Sequence, residues 1–295
     1  MAKPQNLVCP DCYESLDEIS DELVCQRCSR RYPVAAGMAD LVVEDKLTAT
    51  QREMRASWDE QASTYHQIIG SIEPARLLTI DRPLVRIARG DVLEVGCGDG
   101  RLLASLAKQP VRSVTGIDFS KNMLRPALEK GFTVAAASAE RLPFPSNSFD
   151  TVVSGYYSLR FSDLDQSLSE IARVLRPGGW YAFTLLSGRT VGIAYRIAGA
   201  RSLLDGGDWG IGLSIAFGKE SGTRLEADPQ SADQLRSRVH RAGLSIREIL
   251  GTPFLPVGGR AVHKLTGGHL PYLRGEMAIR CGFDVIVVGT NPQTR

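Results

Sequence analysis

Four cysteines stand in two CxxC pairs, Cys9 and Cys12 in "CPDC" and Cys25 and Cys28 in "CQRC", with twelve residues between the pairs. Two knuckles at this spacing can place four thiolates tetrahedrally around zinc. Four protein ligands leave no open position for water, so such a metal would be structural. A segment this small has little core, and metal binding would supply much of its folding energy. Redox dithiols or a disulfide pair are the competing readings; the paired spacing and a reducing compartment favour zinc.

The second chemical group is the turn in "DVLEVGCGDGRLL", Asp91 to Leu103, where Gly96, Gly98 and Gly100 form a GxGxG pattern. Glycine permits a tight turn and lets the backbone approach a ligand closely. Asp118 lies 22 residues after Gly96, where an acid can take ribose hydroxyls. A dinucleotide or another ribose-bearing cofactor fits this pattern, and a bare structural turn is the alternative. Cys97 has no histidine near it in sequence and reads as a small turn residue, not a nucleophile. His66 in "STYHQ" is a candidate base or part of a lid, weighed against a solvated helix histidine.

These groups must be positioned by 295 residues, enough for one large domain and a small appendage. Net charge is +2, too small to imply nucleic-acid binding by itself. It is unevenly spread: residues 1–45 carry four basic and nine acidic side chains, a net of −5 that leaves +7 elsewhere. No segment approaches the roughly 18 apolar residues that span a membrane. The start, "MAKPQNLVCPDC", lacks the apolar core of a secretory signal. Cytoplasmic residence is the expectation, with peripheral membrane contact left open and no oligomeric state favoured.

Short apolar runs alternate with helical runs from Asp91 onward. "DVLEV", "SVTGIDFS", "FTVAAAS", "FDTVVSGY" and "WYAFTLLS" read as strands. "RLLASLAK", "SKNMLRPALEKG" and "SDLDQSLSEIARVLRPGG" read as helices, with Ser120 an N-cap and Gly131 a terminator. Leu164, Leu168, Ile171 and Leu175 share one face of the third helix, and Pro177-Gly178-Gly179 is expected to stop it. This alternation predicts an α/β fold with a doubly wound, mostly parallel sheet. Ligands bind there beyond the carboxyl ends of the strands. The expected division is a ribbon over 1–45, a helical linker or cap over 46–89, and a main domain over 90–295. Two inserts, 187–230 and 251–282, are expected to act as lids. The second contains Arg260, Lys264, Arg274 and Arg280 against Glu276, a partly basic cover for an anionic or amphiphilic substrate, with a solvated loop as the alternative.

The segment "LVCPDCYESLDEISDELVCQRCSRRYPVAAGMADLV" resembles the small zinc-ribbon proteins that bind and activate methyltransferases. The match rests on the cysteines and on Tyr32-Pro33-Val34, Gly37 and Asp40-Leu41. The ordered set "VLEVGCGDG", "GIDFS", "ASAERLPFPSNSFDTVVS" and "EIARVLRPGGWYAF" resembles the class I S-adenosylmethionine-dependent methyltransferases. That resemblance implies a Rossmann-like, seven-stranded sheet. It implies that the backbone at Gly96, Cys97 and Gly98 passes under the methionine part, with Glu94 near its ammonium group. Asp118 would take the ribose hydroxyls, and Phe119 and Met123 would lie against adenine. Ala139 would offer an amide to the adenine edge, next to Ser138, where many members carry aspartate. Ser154 would stand where the methyl group emerges.

The stretch "VVSGYYSLRFSDLDQSLSEIARVLRPGG" resembles the ubiquinone/menaquinone C-methyltransferases, whose loop here reads Gly-Leu-Arg-Asn; Leu159 and Arg160 match and the flanks do not. The Asn/Asp-Pro-Pro-aromatic loop of amine-methylating enzymes is absent. A small aromatic or quinone-like methyl acceptor is therefore expected. Arg160 would stabilise a phenolate, and Tyr157 and Tyr156 would line the acceptor pocket, with a core position for at least one of the pair as the competing reading. A surface or salt-bridging arginine is the competing reading of Arg160. An rRNA guanine-N1 methyltransferase is the alternative, disfavoured by the acidic ribbon. A non-catalytic cofactor-binding partner protein is the alternative of another class.

Overall fold

The computed structural model describes residue 4 and residues 6–71, 74–187, 231–253 and 272–292, with the side chains of 66–71, 74–79, 253, 282 and 283 outside the described set. Four short strands form an antiparallel sheet in the order β1 (Leu16–Ile19), β2 (Glu22–Cys25), β3 (Arg31–Ala35), β4 (Met38–Ala39). Two helices follow, α1 (Ala49–Ser71) and α2 (Pro74–Arg86).

Strands and helices then alternate: β5 (Gly90–Val95), α3 (Arg101–Leu106), β6 (Val111–Asp118), α4 (Lys121–Glu129), β7 (Thr133–Ala136), β8 (Phe149–Ser154), α5 (Leu164–Val174) and β9 (Leu175–Leu186). The described residues end with α6 (Ala232–Arg241), β10 (Ser245–Pro253), β11 (Leu273–Arg274), α7 (Glu276–Cys281) and β12 (Gly282–Thr290). The sheet order is β11-β10-β12-β9-β8-β5-β6-β7. Pairings from β7 through β9 are parallel, and β12, β10 and β11 join antiparallel. The chain steps outward from β5 through β6 to β7, then returns to β8 on the other side of β5. That reversal places a crevice at the carboxyl ends of β5, β6 and β8.

Three expectations need correction. The sheet has an eighth strand: Leu273 and Arg274 pair with Gly251 and Leu250 at the edge beyond the seven expected. The Pro177-Gly178-Gly179 run does not stop α5. Val174 ends the helix, Leu175 is already extended, and the Pro-Gly-Gly run lies within β9. Leu175 stays in the same buried cluster as Leu164, Leu168 and Ile171, which explains why it fitted a helical face. The stretch 251–282 is not one loop: residues 251–253 finish β10, and β11 and α7 occupy its far end. There Glu276 accepts from Arg280 at 2.7 Å and from the Ala232 amide at 2.9 Å, while Arg274 sits 4.0 Å from Glu248. Arg260 and Lys264 lie outside the described residues, as does the insert 187–230 apart from Ser187, which is buried and donates to the Ile279 carbonyl at 2.5 Å.

The ribbon sits on the β7 edge of the main sheet. Asp40 forms a parallel bridge with Ala136, the Leu41 amide donates to the Ala136 carbonyl at 2.8 Å, and the Val8 amide to Pro143 at 3.0 Å. Leu23, Tyr32, Leu41 and Val43 share one buried cluster with Val95, Ile117 and Phe144. Arg173 of α5 completes the contact. It donates to the carbonyls of Phe144 (2.7 Å) and Leu142 (2.9 Å), pairs with Glu170 at 2.7 Å, and stacks 4.2 Å from the Tyr13 ring. Removing that guanidinium leaves Glu170, only 7% exposed, without its cation. Arg173→Ala should cost about 3 kcal/mol, read as a lower urea midpoint at unchanged slope.

Candidate active site and metal centre

The glycine turn leaves β5 and enters α3. Gly96 and Gly98 have φ of 74° and 49°, the left-handed region that favours glycine. A Cβ on Gly96 would lie 2.2 Å from the Ser158 side chain, and one on Gly98 3.3 Å from Met123. The turn is tied to β6 by its own backbone. The amides of Gly96 and Cys97 both donate to the Ile117 carbonyl, at 2.8 and 2.9 Å. The Gly98 amide donates to Asp118 Oδ2 at 2.9 Å, and Oδ1 takes the Ser120 amide at 2.9 Å. A carboxylate offers about four acceptor positions, so Asp118 retains capacity for ligand hydroxyls.

One pocket opens over this turn. Its walls include Gly96, Cys97, Gly98, Asp118, Phe119, Met123, Ser138 and Ala139, together with Tyr156, Tyr157, Arg160 and Phe161. It therefore brings together most of the residues singled out from sequence. Glu94 and Ser154 are each 1% exposed and stand just outside that lining. Glu94 Oε2 and Ser154 Oγ are buried without a hydrogen-bond partner. Cys97 is buried and packs within 2.6 Å of where a Gly116 Cβ would stand. Burial, with Glu94 and Asp118 nearby, pushes its thiol well up, the opposite of an activated nucleophile.

Tyr156 and Tyr157 take left-handed φ values of 52° and 63°. Two consecutive tyrosines in that region carry strain that surrounding contacts must hold. The Tyr156 hydroxyl donates to Asp81 at 2.5 Å, the Tyr157 amide donates to Thr184 Oγ1 at 2.9 Å, and the Tyr157 hydroxyl donates to Asp284. Asp284 is itself buried and bonded to Thr252. Tyr157 is thus a braced wall residue. Arg160 lies in the single turn Ser158–Phe161, half-buried at the pocket wall. His66 falls in α1, but its side chain is outside the described set.

Helix α1, from the stretch expected as a helical linker or cap, supplies a further wall of the pocket. Gln51, Met54, Trp58 and Tyr65 of α1 line the pocket. Trp58 meets Tyr65 edge-on at 5.9 Å and Phe161 at 5.2 Å. Arg101 also lines it, with its guanidinium 6.0 Å from the Tyr156 ring. The helical spacing of 51, 54, 58 and 65 on one face was the available signal.

Acid dominates the electrostatics. Burial pushes Glu94 well up, and Asp81, Asp99 and Asp118 push it further. Burial likewise raises Asp81. Burial pushes Asp118 up to about 6, opposed by its backbone donors and assisted by Asp59. Such a cluster favours a cation-bearing ligand.

The second site is in the ribbon. The sulfurs of Cys9, Cys12, Cys25 and Cys28 all lie within 4.8 Å of one another. Cys12–Cys25 and Cys9–Cys28 approach to 3.5 and 3.7 Å. Tetrahedral Zn–S bonds of about 2.3 Å require sulfurs about 3.8 Å apart, so the set fits a four-thiolate metal. The Tyr32 hydroxyl, 3.1 Å from Cys9 Sγ, would steady that thiolate from outside if a metal were bound.

Fold and site together describe a Rossmann-like α/β domain with a pocket over its glycine turn, carrying an N-terminal four-cysteine ribbon. Residues 93–183 match the family described as Methyltransferase domain, and residues 7–37 match the Trm112p-like protein family. A demethylmenaquinone methyltransferase of Chlorobaculum parvum is 34% identical over 142 residues, which span 45% of this chain and 59% of that protein. The chain thus spans little more than half the length of this curated relative. A SAM-dependent methyltransferase of Thermotoga maritima shares the fold at TM-score 0.54 and 19% identity, covering 81% of this chain and 99% of that one. A chain of the complex between the Haloferax volcanii Trm112 methyltransferase activator and a methyltransferase does so at 0.54 and 19%, covering 80% and 98%.

Asp118 yields a pH prediction. A carboxyl raised from the ordinary 3.8 to about 6 holds its proton more tightly folded than unfolded. Stability of the ligand-free protein therefore falls as pH rises through that window. Glu94 and Asp81 act with the same sign. Asp118→Asn should flatten, without abolishing, the slope of unfolding free energy measured between pH 4 and 6.5.

Proposed function

We propose that this protein transfers the methyl group of S-adenosylmethionine to a small aromatic or quinone-like acceptor, with a structural zinc ion in its ribbon. The observation that carries the reading is the glycine cradle with Asp118 at the end of β6, set among buried acids. A sulfonium and an ammonium supply the positive charge that those acids lack. Bound there, the cofactor would bring an already activated methyl group, so alignment of the acceptor is a main task left to the protein.

The residues divide that task. The turn at Gly96 to Gly98 gives the methionine end close backbone approach, and the unpaired Glu94 Oε2 is a ready partner for its ammonium group. Asp118 accepts from the ribose hydroxyls; Phe119 and Met123 hold the adenine faces, and Ser138 and Ala139 meet its edge. Ser154 ends β8 beneath the pocket, near where the methyl group would emerge. Trp58, Tyr65, Tyr156, Tyr157 and Phe161 offer the acceptor aromatic walls. Arg160 places a cation where an acceptor phenolate would form. The relative's name, demethylmenaquinone methyltransferase, supports an acceptor of quinone type.

Calorimetry with S-adenosylmethionine tests the first step. Micromolar binding is expected for the full chain, and Asp118→Ala should weaken it at least tenfold. No heat with S-adenosylmethionine, or preference for NAD, would sink the reading. Elemental analysis should give one zinc per chain, and Cys9→Ser should lose both the metal and the ribbon's protection from protease. A metal-free protein with an intact ribbon would contradict the zinc assignment. Turnover with a demethylated naphthoquinol should fall about a hundredfold in Arg160→Ala, with cofactor affinity unchanged.

A further inference from the structure

Arg55, on α1, is 6% exposed, and a buried guanidinium persists only when its charge and donors are matched. Its partners come from two separate parts of the molecule. Nη2 donates to both oxygens of Asp40, at 2.8 and 2.9 Å, and Nη1 pairs with Glu44. Nε donates to the Phe119 carbonyl at 3.1 Å, and the guanidinium carbon lies 5.7 Å from the centre of the Phe119 ring. Asp40 is the ribbon residue that bridges to β7, and it is held a second time by Lys121 at 2.9 Å. Phe119 lines the pocket and directly follows Asp118. One cation thus connects the ribbon's exit to the residue against which adenine would lie.

Its neighbours on α1 strengthen the geometry. Gln51, Arg55 and Asp59 recur every four residues and form one row. Gln51 donates to both oxygens of Glu140, at 3.0 and 2.9 Å, beyond β7. Asp59 accepts from Ser120 Oγ at 2.6 Å and from the Asn122 amide at 3.0 Å, at the start of α4. The row spans the loops beyond β6 and β7, and Arg55 alone of the three also grips Asp40.

We propose that Arg55 is a positioning residue for the cofactor. Braced on Asp40, it fixes the Phe119 carbonyl and ring and thereby sets cofactor affinity from outside the pocket. The inference rests on the S-adenosylmethionine reading and adds to it a determinant contributed by the ribbon. Lysine cannot replace it fully, because a point charge with one reach cannot serve the Asp40 fork and the Phe119 carbonyl together.

The test is calorimetric titration of S-adenosylmethionine into the full-length protein and its Arg55→Ala, Arg55→Lys and Asp40→Asn variants and the Arg55→Ala/Asp40→Asn double variant. Folding and zinc content are checked for each. Arg55→Ala should raise Kd about ten- to hundredfold, the range for loss of hydrogen bonds to a charged group. Asp40→Asn should raise it by a smaller factor, Arg55→Lys should fall between, and the double variant should be no weaker than Arg55→Ala alone. A lower melting temperature with Kd within twofold of wild type would make Arg55 a structural residue only and overturn the proposal. Additive losses in the double variant would overturn the brace. Should Arg55→Ala fail to fold, Asp40→Asn decides: an unchanged Kd there rejects the idea. Absence of binding by the wild type is a separate result, and it removes the cofactor reading itself.

Discussion

The site depends on one carboxylate. Asp118 ends β6 and takes the Gly98 amide with one oxygen and the Ser120 amide with the other. The first bond closes the glycine turn onto the neighbouring strand. The second opens α4, whose N-cap Ser120 accepts from the Met123 amide at 3.1 Å. Turn, strand end and helix start therefore converge on a single side chain at the point where the sheet order reverses. Backbone amides aimed at one carboxylate also explain how an acid can sit among Glu94, Asp81 and Asp99. Each amide opposes the repulsion that burial and like charge impose. The residual imbalance makes the pocket complementary to a cation.

The ribbon contributes to this frame through its exit segment. The chain passes from Asp40-Leu41, paired on the β7 edge, into α1, which lies across the pocket. An edge strand left open is a template for wrong pairing; here Asp40 and Leu41 cover part of it. The ribbon's acidity has a local outlet as well. Asp11 lies between Arg30 at 3.2 Å and Arg141 at 3.7 Å, and Asp40 between Arg55 and Lys121. Two of those cations lie beyond residue 89 and one on α1, so the charge asymmetry between the ends of the chain is partly spent on holding them together. This use of the acids needs no nucleic acid as partner.

What the sequence disclosed follows from range. The cysteine pairs, the glycine turn, Ser120 as a cap and Asp118 at a strand end were legible, because each is set by neighbours a few residues away or by a fixed strand-helix-strand spacing. The contacts that finish the pocket are distant in sequence. Tyr156 meets Asp81 across 75 residues, and Tyr157 meets Asp284 across 127. No periodicity encodes such pairs. The left-handed backbone at Tyr156 and Tyr157 was equally hidden, since bulky aromatics rarely adopt it and no local signal announces an exception. The boundary at Val174 failed for another reason. Leu175 continues the helical spacing of Leu164, Leu168 and Ile171 while belonging to the next strand, because both elements face the same core.

Joining ribbon and domain in one chain changes the physics of their contact. Two separate proteins meeting through a few edge hydrogen bonds and a small apolar seam would have to overcome the loss of free translation and rotation. A short covalent connection turns that encounter into an intramolecular one, at an effective concentration in the millimolar range. Modest contacts then suffice: the Ala136 pairing, the Val8 amide on Pro143, and Tyr13 stacked on Arg173. The tether also fixes where α1 starts. Helix α1 begins ten residues after the ribbon strand that ends at Ala39, and Asp40 and Glu44 within that interval grip Arg55 on its second turn. The ribbon thereby sets the register of the helix over the pocket, so the position of Trp58 and Tyr65 above the glycine turn follows from a contact made at the opposite edge of β7.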